Sequence, residues 1–215
     1  MRLLALDCSA DLRSVALGIS GEVVHERREA GARRHAERLV PLVEATLAEA
    51  GWAWSSIDRL AVAVGPGSFT GVRIAVAAVR ALALALDRPV HGVTTLAALA
   101  SAADNPGAAL IPALDARRGG LYVAWPTDAG GWSAPEVAGP GAAAARAPAS
   151  FTAVGSGADA LVAAAGRGRA RPLDVTAAAV LATVDRARAA GAVGVPGPAV
   201  RPLYLRGPDA VPHAA

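Results

Sequence analysis

The sequence contains no lysine: its 21 basic side chains are all arginine, set against 18 acidic ones for a formal charge of +3. That absence excludes three chemistries together, because a Walker phosphate loop, a Schiff-base enzyme and a serine-lysine dyad each need the amine. Cysteine is represented by Cys8 alone, which removes disulfide frameworks and cysteine-based zinc sites. No apolar run reaches membrane-spanning length free of charge, since Arg73 and Arg80 interrupt the longest. The first residues, MRLLALDCSA, meet a charge at Asp7 too soon for a secretory leader, so the expected location is cytoplasmic, with no membrane partner. What is present is a globular composition, 53% apolar and rich in alanine, a residue that buries little area. Arginine clusters at 27–28, 33–34, 117–118 and from Arg167 to Arg171 read first as solvated surface; read more sharply, they would dock an acidic partner such as RNA.

Periodicity predicts strands over Leu3–Leu6, Ser14–Ile19 and Glu22–Arg27 as an antiparallel meander, with turns at Asp11 and Ser20-Gly21. A helix follows over Arg33–Ala50, where Leu39, Val43, Leu47 and Ala50 share a face and Gly51 closes it. Pro41 inside that span predicts a kink or a late start. Strand Leu60–Val64, helix Thr70–Leu86 and strand Pro89–Val93 complete a βαβαβ succession. The stretch LIPALDARRGGLYVAWPTDAGGW then repeats the logic of LLALDCSADLRSVALGISGEVV: an apolar strand ending in Ala-Leu-Asp, a polar turn and a second strand. Asp7 and Asp115 are 108 residues apart, half the chain, which points to duplication into two similar lobes. Breaker residues place the linker near Ala103–Gly107, and Gly139–Ser150 reads as a loop.

The turn GPGSFTG, Gly65 to Gly71, has the strand-turn-helix order of a phosphate loop but fails each specific test. It lacks the Walker lysine; Thr70 stands where a dinucleotide fingerprint needs its third glycine; and Pro66 stands where a nucleophile elbow around Ser68 needs one. The remaining reading is a sharp turn at Gly65 and Gly67 with Ser68 or Thr70 capping the helix beyond. That helix carries two apolar faces. Val72, Val76, Val79, Leu82 and Leu86 suit a sheet, whereas Ile74, Ala77, Ala78, Ala81, Leu84 and Ala85, edged by Arg73 and Arg80, form a small-residue strip that another helix can approach closely. On the earlier helix, Leu42 and Ala45 lie off the chosen core stripe among His35, Arg38 and Glu49, and extend the same expectation.

Five segments, LLALDCSADLRSVAL, VGPGSFTGVRIAVAAVRALAL, PVHGVTTLAALA, LDARRGGLYVA and RPLYLR, together resemble the TsaB (YeaZ) family of tRNA threonylcarbamoyladenosine biosynthesis proteins. The resemblance runs from Leu3 to Arg206 and is weak from Trp132 to Arg171. It implies an α/β fold of the actin/hexokinase/Hsp70 type built from two ribonuclease-H-like lobes. The expected division is 1–103, carrying partner-binding helices, and 104–215, a degenerate duplicate. It implies pairing with the catalytic paralogue TsaD through the two helices, at His35, Arg38, Leu42, Ala45, Arg73, Ile74, Ala77, Ala78, Arg80, Ala81 and Leu84.

The paralogue holds a metal through two histidines, and the resemblance puts Thr95 and Leu99 at those positions; leucine ligates no metal and a lone threonine ligates poorly. Asp7 falls on the fold's first phosphate-motif aspartate, and with Ser9, Gly65, Gly67 and Ser68 it reads as a vestige of a nucleotide site. Gly120 departs from the glutamate usual in the family's second-lobe motif. The function implied is a non-catalytic subunit acting with TsaD and the ATPase TsaE. Together they transfer a threonylcarbamoyl group to the adenosine 3′ of the anticodon, with tRNA bound through the complex. ATP or ADP and metal belong to the complex, and none to this chain alone; a homodimer of the free chain stays open. The competing class is an enzyme: a nucleotide-dependent phosphotransferase or a glycopeptidase-like protease of the same fold.

Overall fold

The computed structural model describes residues 1–31, 35–103, 109–128 and 131–206, with the side chain of His35 outside that set. The first strand, β1 (Arg2–Asp7), is apolar on both faces and therefore central. It pairs antiparallel with β2 (Leu12–Ile19), which pairs with β3 (Glu22–Ala30). On its other side it pairs in parallel with β4 (Arg59–Ala63), followed by β5 (Val90–Val93), giving the order β3-β2-β1-β4-β5. Alternation sends Leu4 and Leu6 into a core under α1 (His35–Glu49) and α2 (Phe69–Leu86). Leu3 and Ala5 enter a second core, under α3 (Thr95–Ala102) and α6 (Ala177–Ala189).

The second sheet repeats that plan. β6 (Ala109–Asp115), β7 (Leu121–Val123) and β8 (Glu136–Ala138) form a meander, and β9 (Phe151–Val154) and β10 (Arg169–Arg171) add in parallel to β6, for the order β10-β9-β6-β7-β8. β6 thus stands where β1 stands in the first sheet, and both end in an aspartate. α6 follows the second sheet in sequence and yet packs on the first, against Ala16 and Ala61. Its first amides are received there: Ala177 N–H donates to Ser14 Oγ (2.8 Å) and Ala178 N–H to Glu26 Oε1 (2.8 Å).

Two expectations differ from the structure. Gly139–Ser150 is not a loop throughout, because Pro140–Arg146 forms helix α4: proline is preorganised for a helix's first turn and four alanines follow, two of them buried. Pro41 lies inside the span of α1. Leu42 is core, 2% exposed, since the inward stripe is wide enough to hold Leu39, Leu42, Val43, Thr46 and Leu47. Val40, Pro41 and Glu44 face outward from this part of α1, and Val40, 42% exposed, is the large apolar one. The expected linker, apart from Ala103, and the Arg33-Arg34 pair lie outside the described residues.

Candidate functional site

Two places gather the residues singled out above, and the first is the turn between β1 and β2. Asp7, at the end of β1, is fully buried, and its Oδ1 accepts the Ser9 N–H at 3.1 Å. Among the described residues Oδ2 has no hydrogen-bond partner, nor do the buried hydroxyls of Ser9 and Thr95. Burial pushes the carboxyl up to about 7, against the lowering effect of the Ser9 N–H. At the matching place in the second lobe, Asp115 Oδ1 accepts the Arg117 N–H at 2.7 Å, the same turn in an exposed setting.

The glycine turn lies directly on this corner. Ser68 N–H donates to Ser9 C=O at 2.7 Å, and a β-carbon on Gly67 would stand 2.3 Å from that same oxygen. One on Gly71 would stand 1.9 Å from Cys8 C=O. These glycines therefore serve close backbone approach. Ser68 Oγ accepts the Gly71 N–H (3.2 Å) as the α2 cap, and Asp87, φ 51°, ends the helix in the left-handed region. Ser68 has the helix as its partner and no histidine beside it among the described hydrogen bonds.

Thr95 is 1% exposed and Leu99 is fully buried in the core shared with α6. A leucine has no donor atom and a lone buried threonine hydroxyl is a weak one, so these two side chains do not make a metal site. Among the described residues no three His, Cys, Asp or Glu side chains gather as a ligand set. His91 is on the edge strand β5, 7% exposed, and burial together with Arg59 and Arg188 holds its imidazole below the usual range.

The second place is the outer face of α1 and α2, which pack side by side. On α2, Val72, Ala75, Val76, Val79 and Ala83 are buried. Arg73, Ala77, Arg80, Ala81 and Ala85 are exposed, and Leu84 is 82% exposed. Ile74 and Ala78 are half-buried, packed against the first core, and stand at the margin of that face. Ala45 is half-buried on α1. Arg38 is exposed but held: its Nη2 donates to Glu29 Oε1 (2.8 Å), and buried Arg13 donates to Glu29 Oε2 (3.0 Å) from below. Arg38 and Arg13 hold the Glu29 carboxyl below its usual range. Arg73 lies over the Phe69 ring, 5.1 Å from its centre.

The arginine clusters resolve differently. Arg27 pairs with Glu49 and Arg28 with Glu26. Arg167 donates to the carbonyls of Ala147 (2.7 Å) and Pro148 (3.2 Å), and so ends α4 as a structural residue. Sequence reasoning missed Ser14 and Glu26 as receivers of α6, Phe69 under Arg73, and Val40. Val40 had a local signal, its place opposite the apolar stripe, and so did Phe69, which stands four residues before Arg73 on the same helix; the contacts of Ser14 and Glu26 with α6 join residues far apart in the chain.

The family model TsaD, tRNA N6-adenosine threonylcarbamoyltransferase, matches residues 19–130. The tRNA threonylcarbamoyladenosine biosynthesis protein TsaB of Escherichia coli is 40% identical over 124 residues, covering 57% of this chain and 53% of that protein. The chain thus matches about half the length of such curated relatives. The solved structure of YeaZ from Pseudomonas aeruginosa is 32% identical with a TM-score of 0.79, covering 94% of this chain and 100% of that one. A second, described as an uncharacterized protein with similarity to peptidase YEAZ from Pseudomonas aeruginosa, is 36% identical with a TM-score of 0.82, covering 95% and 99%. The ethanolamine utilization protein EutJ of Carboxydothermus hydrogenoformans, 12% identical with a TM-score of 0.54 over 85% of this chain and 90% of that one, shares the fold alone.

Proposed function

The chain belongs to the TsaB (YeaZ) family and has the two-lobed α/β fold of the actin/hexokinase/Hsp70 type, and from these premises we propose that it is a non-catalytic subunit of the tRNA threonylcarbamoyladenosine machinery. On this reading it acts in the cytoplasm by binding TsaD through α1 and α2, with TsaE joining the complex and tRNA held by the whole. The observation that carries it is the outer face of α2: an exposed leucine and three exposed alanines, edged on one side by Arg73 and Arg80, a strip of small apolar residues that another helix can approach closely. Arg38, fixed by Glu29, adds a preorganised cation at the α1 border, so little side-chain freedom is lost when a partner docks. The chain needs no nucleotide or metal of its own for this role.

Reconstitution with TsaD, TsaE, the synthase that makes threonylcarbamoyl-AMP, and tRNA tests the reading. Asp115→Ala and Ser68→Ala should each leave modification within about tenfold of wild type, because loss of a catalytic carboxylate or nucleophile removes several orders of magnitude. A thousandfold loss in a variant that stays folded and bound to TsaD would contradict it. One observation favours a second reading, a nucleotide-using phosphotransferase: Asp7, the fold's phosphate-motif aspartate, is retained with an unpartnered oxygen. ATP hydrolysis by the isolated chain, abolished in Asp7→Asn, would move that reading first.

A further inference from the structure

The last described segment, Val200–Arg206, runs from the first lobe to the second and touches the functional corner of each. Val200 is buried in the first core. Leu203 N–H donates to Val64 C=O at 2.7 Å, and its own carbonyl lies where a β-carbon on Gly65 would stand, 2.9 Å away; the glycine turn admits the segment because position 65 has no side chain. The Tyr204 ring then packs on Phe69, 5.0 Å between centres and 36° apart, beneath the first turn of α2. Two residues on, Arg206 Nη1 donates to the carbonyls of Ala116 (2.9 Å) and Arg117 (3.1 Å). A β-carbon on Gly120 would stand 2.4 Å from Arg206 Nη2, so the guanidinium lies directly against this glycine.

The turn that Arg206 holds is a strained one. Arg117 and Arg118 both sit in the left-handed region, φ 59° and 49°, and Gly119 follows at 72°. Two successive arginines persist there only when the surroundings hold them. The turn's own bonds, Gly120 N–H to Arg117 C=O (3.0 Å) and Ala116 N–H to Gly120 C=O (2.9 Å), are supplemented from outside by Arg206.

We propose that Val200–Arg206 is a strap that couples the first turn of α2 to the 116–120 turn of the second lobe, with Tyr204 engaging one end and Arg206 positioning the other. The contacts form one continuous chain: Arg73 on Phe69, Phe69 on Tyr204, Tyr204 two residues from Arg206, and Arg206 on the turn. A partner that orders the start of α2 thereby orders a turn in the other lobe without touching it. This consequence for a bound partner rests on the TsaD reading above; the coupling within the chain does not.

Hydrogen exchange read by mass spectrometry on the full chain tests the strap. Arg206→Ala should speed exchange of the 116–120 amides at least tenfold, with Arg206→Lys intermediate because one ammonium replaces a planar fork. The decisive variant is Tyr204→Ala, whose side chain is half exposed and whose loss leaves the cores intact. It should speed exchange at both 64–69 and 116–120; a change at 64–69 alone would overturn the coupling. In wild type, adding TsaD should protect 116–120, and in Arg206→Ala it should not. TsaD that binds while leaving 116–120 unprotected in wild type refutes the strap's partner role. TsaD that fails to bind refutes the partner reading, and Tyr204→Ala still decides the coupling.

Discussion

Asp7 and Asp115 stand at equivalent strand ends in equivalent turns, and their surroundings separate them. Asp7 titrates near 3.8 when unfolded and near about 7 when folded, chiefly because burial disfavours its charge. The folded state therefore holds the extra proton between those values. The stability this confers is complete below pH 4 and is lost as pH rises through about 7. Asp7→Asn keeps an oxygen for the Ser9 N–H and cannot ionise, so it should flatten that slope and be more stable than wild type at pH 8 by at least ~1 kcal/mol. Urea unfolding of both proteins from pH 5 to 8 checks this. His91 moves in the opposite sense: its lowered imidazole contributes stability present above pH 6.5 and lost as pH falls. Both proteins carry it, and their difference isolates Asp7. At Gly71 the constraint is steric: Gly71→Ala drives a β-carbon to 1.9 Å from Cys8 C=O, and backbone must shift. It should lose ~3 kcal/mol or more in urea, or fail to accumulate as folded protein. Sequence alone matched Asp7 with Asp115, because strand ends and the turns after them are local signals, whereas it was the family resemblance that grouped Asp7 with the glycine turn. It did not tell which aspartate is buried, since that depends on packing by α3 and α6 from elsewhere in the chain.

Helix by helix, the reading of sequence was best where apolar period and caps agreed. In α2 the valines are buried, Ser68 and Asp87 close the two ends, and Ala81 and Leu84 face out. In α1 the phase was set one residue too narrow, and Leu42 moved from surface to core. The short alanine helix α4 offered no amphipathic pattern and went unread. The exposed strip on α2 makes the element-level prediction: Ala81→Glu should leave the unfolding midpoint within about 1 kcal/mol of wild type, as for surface substitutions generally. It should abolish co-elution with TsaD, because an unpaired carboxylate would be enclosed by the close contact. Normal co-elution would show that the partner uses another face. Ser14→Ala tests the docking of α6: it strips the acceptor from the buried Ala177 N–H and should cost about 1–3 kcal/mol, read as a drop in urea midpoint.

As a molecule, the protein is two sheets of one strand order joined by elements that cross between them: α6, which packs on the first sheet from beyond the second, and the Val200–Arg206 segment. The repeat was legible from the two Ala-Leu-Asp strand ends. The crossing was not, because Ser14 and Ala177 are separated by 163 positions and no local pattern announces their contact. At this scale the central claim is that the molecule works by assembly, and its most direct test is the mass of the complex formed when this chain is mixed with TsaD from the same source, measured by light scattering during gel filtration. The account predicts a new species containing both chains, stable in moderate salt because its contact is largely apolar, and absent with Ala81→Glu. Two chains that elute separately, at concentrations well above micromolar and with nucleotide present, would contradict it.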